Sequence, residues 1–349
     1  MTKLKKKQLG RLAAVGVSVV LLGGLFSSIP AATAVYHSIF DRQFETAAEI
    51  DQDPASFELV RREEPFYSFG DRLSGFLYTS GEGESRGLFV IAHGFGNASH
   101  RTYLPLIEAL CQRGFWVFAY DAAGVEASEG EGPRGLPRGV MDLESAILHA
   151  KGLPETEDLP LYLAGHSWGA YSVGCALSLF PEVQGAVLFA GFNQSEDMLF
   201  HFAKKYVGPL AYLGYPFIRA YEESQFPSPY ASLSAVEGIK SATCPVLIVG
   251  AEGDETVPHT LGYDVFRDAF AGEDRVTLLM REARDHKNLF YSDSAMAHRD
   301  ALRRRWEEEG GKDSFEAYFA AAPDRLPAFE MDGGLMEEME KICFPRGDA

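Results

Sequence analysis

The chain has 349 residues, 46% of them hydrophobic and 12% aromatic, and a formal net charge of −18. That is enough apolar material for one large α/β domain or two ordinary ones, and a surface this acidic repels nucleic acid and anionic headgroups, which excludes a nucleic-acid partner. The four cysteines, Cys111, Cys175, Cys244 and Cys343, are scattered without a CxxC, so neither a metal site nor a structural disulfide is expected.

The first eleven residues carry Lys3, Lys5, Lys6, Lys7 and Arg11, and no Asp, Glu, Lys or Arg occurs from Leu12 to Phe40. A basic start followed by an apolar run reads as an export segment with its N-terminus inside. The favoured form is a retained anchor. The uncharged stretch exceeds the roughly 20 residues that span a bilayer, with Tyr36 and Arg42 at the outer interface. The alternative is a cleaved signal peptide, with Ala32-Thr33-Ala34 as the small-x-small site and a secreted product beginning after Ala34. Both readings of residues 1–40 place the rest of the chain outside the cytoplasm, with the membrane as a partner through this segment. Residues 41–65, polar and acidic, read as a juxtamembrane linker.

From there the pattern alternates. Phe66 to Thr79 predicts a hairpin turning at Gly70-Asp71. Leu88 to Ala92 is a buried strand ending at His93-Gly94-Phe95-Gly96; Thr102 to Arg113 has helical spacing; Phe115 to Tyr120 is the next strand. A glycine-rich loop (Gly124, Gly130, Gly132, Gly135) leads to a helix from about Arg138 to Lys151. Strands follow at 159–164, 185–190, 245–249 and 275–280, with helices at 258–270 and 293–309. Residues 191–240 break the rhythm and are dense in aromatics, among them Phe200, Phe202, Tyr206, Tyr212, Tyr215, Phe217 and Tyr221. The fold class is α/β: a mostly parallel central sheet with helices on both faces. His93, Asp121, Ser167, Asp254 and His286 all fall just after predicted strands, which places them on one edge of that sheet.

Gly165-His166-Ser167-Trp168-Gly169 stands between a strand and a small-residue helix, the context of a nucleophile elbow. The strained turn lifts the serine hydroxyl clear of the backbone. A side chain at Gly165 or Gly169 would collide with the elements that close the turn, and glycine is expected to relieve a positive φ. A serine hydroxyl needs a base within hydrogen-bond reach and an acid to hold the base's tautomer. Of the histidines after Ser167, His201 lies in the aromatic stretch, His259 at a helix start and His298 inside a helix. His286 lies in the loop after the last strand and is assigned as the base. Asp254 is assigned as the acid over Glu252 and Asp285. Backbone N–H groups of Phe95 and Trp168 are the expected oxyanion donors. His93 and Asp121 are read as loop-stabilising.

With these motifs the chain resembles the α/β-hydrolases of the serine aminopeptidase group (S33), which also holds monoacylglycerol-lipase-like and lysophospholipase-like enzymes. The resemblance covers residues 66–310. It rests on His93-Gly94-Phe95-Gly96, Asp121-Ala122-Ala123-Gly124 with Ser128, the elbow, Gly253-Asp254-Glu255-Thr256-Val257-Pro258, and Asp285-His286. The group's D-x-R-G-x-G-x-S motif departs here: Ala123 replaces arginine, and Val125-Glu126 stand where a smaller residue and glycine are common. The resemblance implies a core of residues 66–190 and 241–310, a lid at 191–240 and a C-terminal helical extension at 311–349. It implies hydrolysis of an acyl ester, lysophospholipid or monoacylglycerol-like, through an acyl-enzyme, without cofactor or metal. Two other readings compete. A peptidase would need a recessed amine-binding acid among Glu196, Asp197, Glu222 and Glu223. A non-catalytic binding module would keep the fold without the chemistry.

Overall fold

The computed structural model describes residue 30, residues 33–81 and residues 85–343. Its strands are β1 (Val60–Glu63), β2 (Phe66–Ser68), β3 (Asp71–Leu73), β4 (Gly75–Thr79), β5 (Gly87–Ala92), β6 (Phe115–Tyr120), β7 (Leu161–His166), β8 (Gly185–Phe189), β9 (Val246–Ala251) and β10 (Val276–Arg281). Eight of them form one sheet in the order β1-β4-β6-β5-β7-β8-β9-β10. The pairs from β6 to β10 are parallel, while β4 is antiparallel to both β6 and β1. Every residue of β5, β7 and β9 is buried. The sheet is covered on both faces, which is why these strands read as unbroken apolar runs rather than alternating ones.

Alternate residues of each strand feed two cores. Leu88, Val90, Phe118, Leu163, Leu188 and Ile248 face one side. There they meet α3 (Arg138–Lys151), α4 (Trp168–Ala176), α7 (Ala235–Ser241) and α8 (Tyr263–Phe270). Phe89, Ile91, Val117, Ala164, Val187 and Leu247 face the other. That side is closed by α2 (Leu104–Cys111), α9 (Asp293–Glu308), α10 (Phe315–Ala321) and α11 (Gly333–Cys343). The four cysteines are buried and unpaired, each acting as a small apolar side chain. In the stretch expected as a lid, α5 (Ser195–Val207) and α6 (Ala211–Gln225) form a helical pair. Its last part is a body helix instead: α7 lies so close to α4 that a Cβ on Gly238 would strike the carbonyl of Gly174.

The expected 66–79 hairpin forms only in part. β2 and β3 pair across Phe69 and Gly70, both with positive φ, the turn geometry that two-residue hairpins favour. Residues 75–79 leave this pair and join the main sheet as β4.

The N-terminal region requires a correction. The charged and apolar residues 1–29 that suggested an anchor or signal segment lie outside the described residues, as does Ala32. Among the described residues, no helix is long and apolar enough to cross a membrane. Residues 33–40 are helical (α1), and Tyr36, expected at a membrane interface, is buried in the first core with Phe40 and Phe44. Four-residue spacing puts Tyr36 and Phe40 on one stripe of α1, and the chain beyond extends that stripe to Phe44. Residues 41–65, expected as a linker, are likewise part of the folded body. Residues 60–63 pair as β1 along the edge strand β4.

The stretch 33–50 is a strap across the glycine-rich loop, and it accounts for those glycines. Phe44 N–H donates to the Gly124 carbonyl, and Glu126 N–H donates to the Phe44 carbonyl. A Cβ on Gly132, whose φ is +149°, would sit on the Phe40 carbonyl and within 2.8 Å of the Arg42 backbone. The same holds at Gly135 against the Tyr36 hydroxyl and the Phe226 ring. We predict that Gly132→Ala destabilises the protein by about 2–3 kcal/mol, from overpacking plus the unfavourable φ. It should also open residues 41–50 to protease. Thermal unfolding and limited proteolysis check this.

Candidate active site

The order of the sheet brings the site together. β5 has β6 on one side and β7 on the other, so the chain leaves β5 in both directions and a crevice opens at its C-terminal end. Ala92 pairs with Gly165 across that boundary. The loop at residues 93–96 and the turn at Ser167 are therefore neighbours.

The turn is as tight as its sequence requires. Ser167 holds φ +56° and ψ −114°, a conformation that costs a non-glycine residue of order 1–3 kcal/mol. The positive φ belongs to the serine, not to its flanking glycines. Those glycines answer a second demand: a Cβ on Gly165 would meet the Gly169 carbonyl, and one on Gly169 would meet the Ala92 carbonyl. Gly94 is less crowded, with His166 Nδ1 3.2 Å and Ser167 Cβ 3.6 Å from where its own Cβ would stand.

His286 donates from Nδ1 to Asp254 Oδ2 at 2.7 Å, so a neutral ring has its acceptor nitrogen at Nε2. Asp254 Oδ1 accepts the backbone N–H groups of Thr256 and Val257, each at 2.9 Å. Burial alone would raise the Asp254 carboxyl, but the hydrogen bond and charge of His286 and these two N–H groups outweigh it and hold the carboxyl below its ordinary value. Ser167 and His286 line the same cavity. No hydrogen bond joins Ser167 to His286 here, and such contacts in ligand-free enzymes are often long. The rival acids are otherwise engaged. Asp285 caps its own loop through the N–H groups of Lys287 and Asn288, and Glu252 accepts from Ala283 N–H. His259 bonds the Ala251 carbonyl and His298 the Asp324 carbonyl, while His201 lies on α5.

Among the described residues, the N–H groups of Phe95 and Trp168 have no acceptor. The Phe95 ring is held edge-on by Phe40, Phe44 and Trp168, and the indole N–H of Trp168 donates to the Leu136 carbonyl at 2.7 Å. His93 accepts Ala122 N–H at Nε2 and bonds the Gly94 carbonyl through Nδ1. Asp121 accepts from the backbone and ring of His100. Both residues thus stabilise loops, as their sequence positions suggested.

Two features escape the sequence. The first is a relay through His166. Gly94 N–H donates to the Tyr103 hydroxyl (3.1 Å), which donates to His166 Nδ1 (2.8 Å), and His166 Nε2–H donates to the His286 carbonyl (2.8 Å). Burial, and next the nearby His286, push the His166 pKa down to about 3, so the ring stays neutral. This relay ties the loop at Gly94 to the loop at His286 through the residue before Ser167. Nothing in the spacing of Tyr103 announced it. The second is the strap itself. Arg42, Phe44, Ala47 and Ile50 line the cavity with Phe95, Trp168, Phe192, Met198 and Phe202. The departures from the family motif are its anchor points: Val125 bridges to Phe44, and Glu126, with φ +52° at the usual glycine position, accepts Thr46 N–H at 2.6 Å.

The strap also reaches the helical pair. Tyr36 OH donates to the Arg134 carbonyl and to Glu222 on α6, whose other oxygen accepts from Ser195 at the start of α5. Glu222 is 2% exposed, and burial pushes its pKa up to about 7. On α5, Phe202 lines the cavity, whereas Phe200 packs on Tyr212 and Tyr215 and Tyr221 packs on Tyr36.

With this geometry in view, comparison with known proteins is informative. The profile of the serine aminopeptidase family, S33, matches residues 83–241. An esterase of Pyrococcus furiosus superposes with a TM-score of 0.53 at 16% identity, over 77% of this chain and 96% of its own. Est1E of Butyrivibrio proteoclasticus, solved with ferulic acid bound, gives 0.52 at 19% identity, over 71% of this chain and all of its own. The acylaminoacyl peptidase of Pyrococcus horikoshii gives 0.53 at 16% identity, over 83% of this chain and 43% of its own. No curated protein sequence matches the chain. The fold is that of the α/β-hydrolases, and the chain is an enzyme, a serine hydrolase.

Two predictions concern this framework. Tyr103→Phe leaves Gly94 N–H and His166 Nδ1 buried without partners. It should cost about 1–3 kcal/mol of stability and lower kcat more than it raises KM, as thermal unfolding and steady-state kinetics will show. Glu222 binds more protons folded than unfolded between its ordinary 4.5 and about 7, so its contribution to stability falls as pH rises through that window and stays low above it. Glu222→Gln should therefore flatten the decline of Tm between pH 5 and pH 7.5.

Proposed function

We propose that the chain hydrolyses carboxylic esters through Ser167, His286 and Asp254. The observation that carries this reading is the His286–Asp254 hydrogen bond beside a serine held at positive φ in the same cavity. Ser167 Oγ attacks the ester carbonyl while His286 Nε2 takes its proton. Asp254 holds the ring tautomer and offsets the imidazolium charge. The N–H groups of Phe95 and Trp168 receive the oxyanion; each such donor is worth about 2.7–4 kcal/mol in the transition state. His286 then protonates the departing alcohol, leaving an acyl-Ser167. Water, deprotonated by the same ring, attacks that acyl group and releases the acid and the free serine. No step in this scheme calls on a cofactor or metal.

The cavity has a volume of about 350 Å³ and a mainly apolar wall, which suits a short or medium acyl chain. Its lining supports esters over aminopeptidase substrates. A peptide amine needs a carboxylate partner, yet among the described residues no Asp or Glu lines the cavity. Glu196 and Glu223 pair with Arg219, Glu222 is taken by Tyr36 and Ser195, and Asp197 is not among the lining residues. We read α5 and α6 as a lid whose contribution to the acyl site is Met198 and Phe202. Placement outside the cytoplasm, by anchor or secretion, is supported by the sequence of residues 1–40 alone.

The test compares p-nitrophenyl esters of increasing chain length with aminoacyl-arylamides. Wild type should turn over the esters and leave the arylamides essentially untouched. Ser167→Ala and His286→Ala should each lower kcat by more than about 10³-fold with the fold intact by circular dichroism. Arylamide turnover above ester turnover would favour the peptidase instead, and wild-type rates in His286→Ala would remove it as the base.

A further inference from the structure

We infer that the preferred substrate is an ester carrying an anionic oxygen group, a carboxylate or phosphate, away from the scissile bond, and that Arg42 reads that group. This inference rests on the ester reading above and adds a specificity to it. It starts from a contrast in charge. The chain has 50 acidic residues against 32 basic ones, but among the described residues the cavity is lined by two cations, Arg42 and Lys287, and by no acid. Lys287 is engaged, with Glu49 at 3.5 Å. Arg42 has no ion-pair partner among the described residues; its guanidinium lies over the Phe44 ring, 4.7 Å from the centroid, and that ring is itself cavity wall.

The backbone that carries Arg42 is held on both sides, and its exposed side chain rests on the Phe44 ring. Arg134 N–H donates to the Phe40 carbonyl, Phe44 N–H donates to the Gly124 carbonyl, and Gln43 reaches the Gly130 carbonyl. Arg42 is thus fixed two residues from a pin on either side. Stacking on an aromatic face leaves the edges of the fork free to accept a planar oxyanion in two parallel hydrogen bonds. The negative charge of the whole molecule opposes such a substrate only weakly, because charges beyond a Debye length of about 8 Å are screened at physiological salt. Inside a half-enclosed cavity the nearest cation dominates.

The experiment uses two matched pairs on the full chain. p-Nitrophenyl octanoate against p-nitrophenyl hydrogen suberate places a carboxylate at the far end of an acyl group of equal length. Phenyl butyrate against 4-carboxyphenyl butyrate places it on the leaving group. In at least one pair, wild type should favour the anionic ester by about tenfold or more in kcat/KM, the scale of one charge-assisted hydrogen bond. Arg42→Ala should remove most of that preference, Arg42→Lys should keep part of it, and Arg42→Glu should invert it, with Tm confirming that each variant folds. The pair that responds tells on which side of the ester the group sits. The inference is overturned if wild type shows no anionic preference in either pair, or if the preference survives Arg42→Ala and Arg42→Glu. Turnover of the neutral esters alone leaves the ester reading standing without it. Turnover of none sinks both.

Discussion

The site depends on two backbone segments that approach closer than any side chain would permit. Gly169 lies against the Ala92 carbonyl and Gly165 against the carbonyl of Gly169 itself. That compression drives the chain into the positive φ of Ser167 and lifts its hydroxyl out of the sheet edge. The strain is local, and the energy that holds it comes from elsewhere: every residue of β7 and α4 is buried, so relaxing the turn would expose two packed elements. The same contact sets the loop after β5 beside Ser167. One approach therefore sets Ser167 and the N–H groups of Phe95 and Trp168 side by side.

Around this turn the protein adds a second frame. The relay Gly94–Tyr103–His166–His286 binds three loops whose ends would otherwise move independently. A neutral His166 can donate at one nitrogen and accept at the other, which is what a relay between a hydroxyl and a carbonyl requires. Outside it, the strap packs Phe40 and Phe44 against Phe95 and reaches α6 through Tyr36 and Glu222. Residues 42–50 are thereby part of the wall of the cavity that holds Ser167 and His286.

Much of this was legible in the sequence, for definable reasons. Buried parallel strands are unbroken apolar runs, so β5, β6, β7, β8 and β9 stand out, and function concentrates where such strands end. The elbow declares itself because only glycine fits at 165 and 169. The strap did not declare itself because its information is divided. Tyr36, Phe40 and Phe44 form a stripe, but polar residues between them and the apolar run before them make the stretch look like a membrane-proximal linker. Its docking surface is written elsewhere, in Gly132, Gly135 and Glu126. In hindsight the glycine-rich loop and the departure at Val125-Glu126 were one signal: a loop that must accept a passing backbone, and a carboxylate in place of glycine to hold it. Tyr103 and Glu222 gave no comparable sign, since their roles exist only once distant segments meet.

Electrostatics then separates the surface from the site. The exterior is acidic, whereas among the described residues the cavity is lined by Arg42 and Lys287 and by no Asp or Glu. All of this presupposes that Ser167 is activated. The most direct measurement is labelling with a fluorophosphonate probe, with the modified residue located by mass spectrometry. The account predicts near-stoichiometric, time-dependent labelling at Ser167, lost in Ser167→Ala. A well-folded wild type that remains unlabelled, or carries the label on another residue, would contradict it.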